Sequence, residues 1–124
     1  MKLNFEDERP IFLQIAENIE QSILVGAYPE EEQVPSTTEI SVTYKINPAT
    51  ALKGINRLVE EGILYKKRGV GMFVASGAVK LVGEKRKGAF SAQYVAPLTH
   101  EAKRLGLTLD ETAQMVEESY TNDS

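Results

Sequence analysis

The sequence of 124 residues contains no cysteine, a single histidine and no long apolar run. Without cysteine the chain can form neither a disulfide framework nor a thiolate metal site, and a reducing cytoplasm is the compartment we expect. No segment approaches the roughly 18 apolar residues that a membrane span requires. Residues 1–8 are acidic where a signal peptide would be basic and then apolar. We therefore expect an unexported protein without a membrane partner.

The chain also lacks the residue combinations that carry enzymatic chemistry. Its length allows one domain with a short appendage, because a second core would need more residues. No pair of nucleophile and base, phosphate-binding loop or paired carboxylate site stands out, and the acidic pairs 110–111 and 117–118 are typical of solvated helix charges. His100 has no cysteine or second histidine with which to share a metal. We expect no enzymatic activity, no metal and no cofactor.

Positive charge is scarce overall but concentrated in the middle of the chain. The formal net charge of −4 argues at first sight against a nucleic-acid partner, since phosphate binding draws on clustered lysine and arginine. Residues 1–33 hold two basic and eight acidic side chains, whereas residues 44–74 hold six basic and two acidic ones. Such a basic segment is either a lopsided solvated surface or a patch that meets an anion.

Apolar periodicity predicts a first helix over about residues 10–25, with a proline in its first turn and Gly26 as its stop signal. Residues 27–35 contain two prolines and no periodicity, which predicts a loop. Tyr28 and Val34 are apolar anchors that a disordered linker would lack. We therefore expect this loop to be ordered.

Two further helices follow, joined by a turn of three residues. Ser36 and Glu39 have the spacing of a capping box and predict a second, short helix that ends near Thr43. Asn47 followed by Pro48 predicts an abrupt start of a third helix, because asparagine caps a helix and proline is pre-set for its first position. This third helix has one apolar and one polar side. The pair predicts a helix-turn-helix.

A basic hairpin is predicted directly after these helices. Ile63–Arg68 and Met72–Val74 are strand-like runs, and Gly69 and Gly71 supply the backbone angles that a tight turn needs. Residues 66–68 are three consecutive cations, which repel one another unless an anion lies near. A phosphate backbone is the obvious anion, and the hairpin is interpreted as a wing that binds DNA.

The C-terminal third is predicted to be a separate helical region. Residues 75–88 contain three glycines and a basic cluster, which predicts a linker over 78–88 after a winged domain of residues 9–77. Residues 89–124 show two helical patterns, of which the first is expected to kink or divide at Pro97. The predicted fold class is mainly α with a small β-hairpin: a winged helix-turn-helix followed by a short C-terminal two-helix dimerisation element.

Dimerisation is expected because two short helices cannot cover their own apolar side chains. The winged helix of the same chain could cover them. A second copy would cover them as well and would also place two recognition helices on one inverted repeat, whereas a single winged helix reads too few base pairs to select a site. The candidate dimerisation residues are Phe90, Tyr94, Leu98, Leu105, Leu109, Met115 and Val116.

Several short motifs keep a fixed order along residues 9–77. They are Pro10-Ile11-Phe12-Leu13-Gln14-Ile15, Gly26-Ala27-Tyr28, Val34-Pro35-Ser36, Asn47-Pro48-Ala49-Thr50, and Leu58 to Leu64 running into Arg68 to Val74. In this order and spacing they resemble the winged helix-turn-helix of the GntR family of bacterial regulators, and the short C-terminal part is similar to the YtrA subfamily. The resemblance implies a sequence-specific transcription regulator that binds double-stranded DNA as a homodimer, most often a repressor, and often of an operon that encodes an ABC transporter.

The polar side of the third helix, the start of the second and the wing supply the candidate DNA contacts. Thr50 and Lys53 are the first choice for groove contacts. For Ser36 a cap role, for Ala49 a helix-forming role, and for Arg57 an ion pair with Glu61 stay open beside a DNA contact. The full candidate set is Ser36, Thr37, Asn47, Ala49, Thr50, Lys53, Arg57, Lys66, Lys67, Arg68, Gly69 and Gly71.

Two departures from the family pattern bear on base preference. Many relatives have arginine at the positions of Thr38 and Pro48, and arginine is the commonest reader of guanine. Leu52 stays open between a methyl contact with DNA and domain packing. A winged helix that binds a protein instead of DNA is the competing function, and a small-molecule effector bound by the C-terminal part is a further possibility.

Overall fold

The computed structural model describes residues 3–122, which form two compact units that divide after Glu84. As predicted, the described residues are mainly helical with one small antiparallel sheet. The elements are α1 (Ile11–Leu24), α2 (Thr37–Tyr44), α3 (Pro48–Glu60), β1 (Leu64–Lys67), β2 (Gly71–Val74), α4 (Ala78–Phe90), a π-helical turn (Ser91–Val95), α5 (Ala96–Arg104) and α6 (Leu109–Asn122).

The predicted caps start the two helices of the helix-turn-helix. Ser36 Oγ accepts a hydrogen bond from the Glu39 backbone N–H at 3.0 Å, and the Glu39 carboxylate accepts one from the Ser36 N–H at 3.1 Å, which completes the capping box. Asn47 Oδ1 accepts from the Ala49 N–H at 2.8 Å, with Pro48 in the first turn of α3. Between the helices Lys45 adopts a left-handed conformation with φ 53°. The predicted three-residue turn is confirmed.

The core of the first unit lies between α1, the helix-turn-helix and the sheet. Ile15 and Ile19 of α1 are fully buried together with Ile55 and Leu58 of α3. Gly54 allows α1 and α3 to approach closely, because a Cβ at this position would lie 2.8 Å from the Phe12 carbonyl oxygen. The position of α3 therefore depends directly on α1.

The wing hairpin is tied to the loop that precedes α2. β1 and β2 pair antiparallel, with Lys67 opposite Gly71. The loop pairs in turn with β2: the Val34 N–H donates to the Met72 carbonyl at 2.9 Å, and the Val74 N–H donates to the Glu32 carbonyl at 3.0 Å. The loop is ordered as predicted, and its backbone hydrogen bonds extend the two-stranded sheet along β2.

Residues 78–88 were predicted as a linker of undetermined conformation. They lie in helix α4, which begins in the first unit and ends in the second. Ala78 and Val82, one turn apart, are fully buried in the core of the first unit. The Glu30 carboxylate accepts hydrogen bonds from the Gly77 and Val79 N–H groups at 2.8 and 3.0 Å. This packing and cap outweigh the glycines, each of which costs about 1 kcal/mol of helix propensity.

The second unit contains the interruption predicted at Pro97. Proline has no N–H and clashes with the preceding turn of an α-helix, and here the π-helical turn ends directly before α5, in which Pro97 is the second residue. Gly106, with φ 74°, follows the C-terminal end of α5. Thr108 and Glu111 then form the capping box that starts α6. Of residues 85–122 only Ala102 is buried, so this unit has almost no core of its own.

Between residues 3 and 122 no helix has both the length and the apolar character that crossing a membrane requires. The same residues contain no group of three or more histidine, aspartate or glutamate side chains placed to hold a metal ion.

Candidate nucleic-acid interface

Helix α3 buries one side and exposes the other. Its buried residues, Ala51, Gly54, Ile55 and Leu58, pack on the core of the first unit. The opposite side is solvent-exposed and forms a shallow surface groove with Phe12 of α1. The α3 residues that line this groove are Ala49, Leu52, Lys53, Asn56, Arg57 and Glu60.

Lys53 is turned toward α1. Its Nζ lies 4.1 Å from the centroid of the Phe12 ring, within the range of a cation–π contact. Thr50, partly buried, and Asn47 line a neighbouring depression together with Lys53. The structure thus brings these predicted residues together at the edge of α3 that faces α1.

One cation of the wing, Lys67, lies against a pair of aromatic rings. The rings of Tyr65 and Phe73 stack across the strands with centroids 5.8 Å apart, and Lys67 Nζ lies 4.3 Å from the Phe73 centroid. The Tyr65 hydroxyl donates a hydrogen bond to the Glu31 carboxylate at 2.9 Å, which raises the pKa of Tyr65 because the ionised phenol would lose this bond. Lys66, Lys67 and Arg68 are all exposed.

A hydrogen bond from the Gln33 side chain fixes the turn of the wing. Gln33 Nε2 donates to the Val70 carbonyl at 3.0 Å. Gly71 has φ 147° and leaves room for this amide, since a Cβ there would lie 2.4 Å from Gln33 Nε2. Gly69, with φ 77°, completes the predicted glycine-dependent turn. The result is a fixed loop whose backbone and cations face solvent.

At the start of α2 and α3 the polar side chains act first as caps. The Ser36 hydroxyl and the Asn47 amide each accept a backbone hydrogen bond of their own helix. Both residues are therefore confirmed as caps, and contacts of these two and of Thr37 with DNA stay predictions.

Sequence reasoning missed residues that hold the interface in place, namely Phe12, Gln33, Tyr65 and Phe73, and it missed Asn56 on the exposed side of α3. Asn56 follows Ala49 by seven residues, two helical turns, so extending the spacing of the polar side would have found it. Phe12, Gln33 and Tyr65 contact distant segments, for which the sequence gives no local signal. The contacts of Phe73 with Tyr65 and Lys67 depend on the register of the hairpin.

Comparison with known proteins places this arrangement in a family. The model of the bacterial regulatory proteins, gntR family, matches residues 12–74. The HTH-type transcriptional regulator YhcF of Bacillus subtilis is 30% identical over 111 residues, which cover 90% of each chain. Relatives named as transcriptional repressors also match this chain.

Solved structures agree with these relatives. A crystal structure described as a GntR-family transcriptional regulator from Bacteroides thetaiotaomicron superposes with a TM-score of 0.79 at 35% identity, over 92% of this chain and 99% of that one. AraR(DBD), crystallised in complex with operator ORX1, has a TM-score of 0.56 at 28% identity, over 60% of this chain and 96% of that one. The chain therefore belongs to the gntR family of bacterial regulatory proteins, which are DNA-binding transcription regulators and not enzymes.

Proposed function

We propose that two copies of this chain bind one inverted-repeat operator and repress transcription from it. The observation that carries the proposal is the exposed side of α3 beside the cationic wing, in a fold similar to a domain solved on its operator. In winged-helix and other helix-turn-helix proteins the second helix of the motif enters the major groove, and dimers place two such helices about one DNA turn apart.

Three elements of the first unit supply the proposed DNA contacts. The exposed side of α3 enters the major groove, the start of α2 approaches a phosphate, and the wing follows the backbone or the minor groove. Lys53 is turned toward Phe12 at one edge of α3, and this position supports a phosphate contact beside the groove. The proposed set is Ser36, Thr37, Asn47, Ala49, Thr50, Lys53, Arg57, Lys66, Lys67, Arg68, Gly69 and Gly71.

The exposed apolar residues of the second unit support a homodimer. The large apolar side chains predicted for dimerisation leave between 40% (Val116) and 82% (Leu109) of their surface exposed. Isolated exposed apolar residues are ordinary, but a cluster of this kind marks an interface. The members are Phe90, Tyr94, Leu98, Leu105, Leu109, Met115 and Val116, and Tyr120 joins them.

A narrower proposal concerns the subfamily and an effector. The short C-terminal part supports a YtrA-like member, which would control an operon that encodes a transporter. An apolar groove between α5 and α6, lined by Leu98, Ala102, Leu105, Met115 and Tyr120, is the place in this unit for a small apolar effector.

Selection of bound fragments from a random pool of duplex DNA tests the proposed function. We expect enrichment of an inverted repeat whose half-site centres lie about 10 base pairs, or a multiple of one turn, apart. A pool that stays random after repeated rounds would contradict the proposal and favour the alternative, a winged helix that binds a protein.

A further inference from the structure

Charge divides the exposed side of α3 into two strips. At about 100° per residue, Lys53 and Arg57 lie about 40° and 80° to one side of Ala49 around the helix axis. Asn56 and Leu52 lie about 20° and 60° to the other side. The cations therefore follow one edge of the helix, the edge that faces Phe12. The adjoining strip, formed by Ala49, Leu52 and Asn56, carries no charge and lines the same shallow groove.

This uncharged strip is exposed in the first unit. Leu52 leaves 42% of its surface open, and Ala49 and Asn56 are also exposed. Asn56 lies next to Ala49 on this strip, and Leu52 lies beyond Asn56, farther from the cations. Since α3 is proposed to lie in the major groove with these cations on the backbone, the strip is the part of the helix that meets the base edges.

The chemistry of the strip matches one class of base pair. Thymine presents a methyl group in the major groove, which apolar side chains contact, and adenine presents N6 and N7, which an asparagine amide can engage together. Guanine calls for arginine or lysine, and the strip has neither.

We propose that Ala49, Leu52 and Asn56 make this protein select A·T pairs, with the two apolar residues against thymine methyl groups and Asn56 paired with adenine. The inference rests on the proposed function, because it requires α3 in the major groove. Glu60, the last residue of α3, projects only about 20° from Ala49 around the axis but lies about three turns farther along the helix, and it would be repelled by phosphates. The N-terminal part of α3, which carries the strip, is therefore the part that enters the groove.

Removal of single thymine methyl groups tests the inference on the full chain. In the operator obtained by selection, each thymine of a half-site is replaced in turn by deoxyuridine, which keeps the base pair and removes only the methyl. We expect about a fourfold loss of affinity at one or two positions, the equivalent of one buried methyl group. In Leu52→Ala the loss at the position that contacts Leu52 disappears.

Leu81→Ala is the matched control. Leu81 lies on α4, is exposed to a similar extent at 47%, and undergoes the same change of side chain. It leaves the methyl dependence of binding unchanged. Asn56→Ala, in addition, flattens the preference for adenine at one position of each half-site by about tenfold.

Two outcomes would overturn the inference, and they are distinguishable. A chain that selects no operator contradicts the proposed function and this inference with it. A selected operator whose half-sites lack A·T pairs, or whose affinity ignores every thymine methyl, overturns the inference alone and leaves the proposed function standing.

Discussion

Two lysines of the proposed interface rest on aromatic rings, Lys53 on Phe12 and Lys67 on Phe73. A long flexible side chain loses rotamer freedom when it binds a phosphate, at a cost of about 1.5–2 kcal/mol if it is fully immobilised. A ring that already restricts the ammonium group lowers this cost. At the scale of single residues, affinity for DNA therefore depends on the rings as well as on the charges.

The wing is predicted to contribute to binding through phosphate contacts. In the double variant Lys67→Ala, Arg68→Ala we expect weaker binding to every duplex, and the slope of log affinity against log salt should fall by about one for each lost contact. Fluorescence anisotropy over a salt series measures both. The pair Lys103→Ala, Arg104→Ala removes the same two residue types from α5 and should leave the slope as it is. An unchanged slope in the wing variant would refute the assignment.

Lys53 is predicted to contact the backbone from the edge of α3. In Lys53→Ala the affinities for the operator and for operators with one mutated base pair should fall by the same factor, and the salt slope should decrease by about one. Competition binding against a panel of mutated operators measures the ratio. Should Lys53 read a base, as the sequence alone suggested, the variant would lose discrimination at one or two positions instead.

The sequence was informative about single residues where the signal is local. The caps Ser36 and Asn47 follow from their neighbours within three residues. The contact between Lys53 and Phe12 joins residues 41 positions apart and depends on how α1 packs on α3, so no local pattern could reveal it. The orientation of Lys53 was therefore open until the tertiary structure was known.

Among the elements, the contact between α1 and α3 depends on a single glycine. Gly54→Ala places a Cβ 2.8 Å from the Phe12 carbonyl oxygen, and we expect a loss of about 1–3 kcal/mol in the free energy of unfolding. Gly83→Ala in α4 meets nothing within 4 Å and should instead stabilise by about 0.5–1 kcal/mol. Urea titration of both variants measures the difference. Equal effects would contradict the close packing of these helices.

The start of α4 gives a pH-dependent prediction. The N–H groups of Gly77 and Val79 lower the pKa of Glu30 from its ordinary 4.5. A lowered folded-state pKa means that the stabilisation is fully present above about pH 4.5 and is lost as the pH falls through the folded-state pKa. Glu30→Gln should therefore be less stable than the natural chain at pH 7.

Urea midpoints measured from pH 7 to pH 3 check this expectation. The gap between Glu30→Gln and the natural chain should shrink as the pH falls below 4.5, whereas Glu32→Gln, which leaves the cap intact, should show no gap of this kind. A gap that is constant over the whole range would contradict the proposed role of the carboxylate.

Most elements were predictable from local signals: α1 from its apolar periodicity, and α2 and α3 from the residues that cap them. Helix α4 was not, since its glycines signal a linker. Two tertiary contacts explain why this segment is helical. Ala78 and Val82 are buried in the core, and the Glu30 carboxylate caps the start of the helix by accepting hydrogen bonds from its backbone. Local propensity gives way here to tertiary packing.

On the scale of the whole molecule, the two units differ in the size of their hydrophobic cores. The first has a continuous core of fully buried residues from α1 to α4, while residues 85–122 bury little besides Ala102. A helical pair with so little buried surface gains too little hydrophobic stabilisation to offset the conformational entropy of folding. The sequence indicated the uncovered apolar residues, and what covers them is a proposal that a measurement can decide.

The stoichiometry of the operator complex tests the central claim, that two chains bind one inverted repeat through their winged helices. Sedimentation equilibrium of the full chain with a labelled operator at micromolar concentration measures it. We predict two chains per duplex, a dimer in the absence of DNA, and one chain per half-site with much weaker binding when residues 89–124 are deleted. A full-length chain that sediments as a monomer and binds the operator singly would contradict the account.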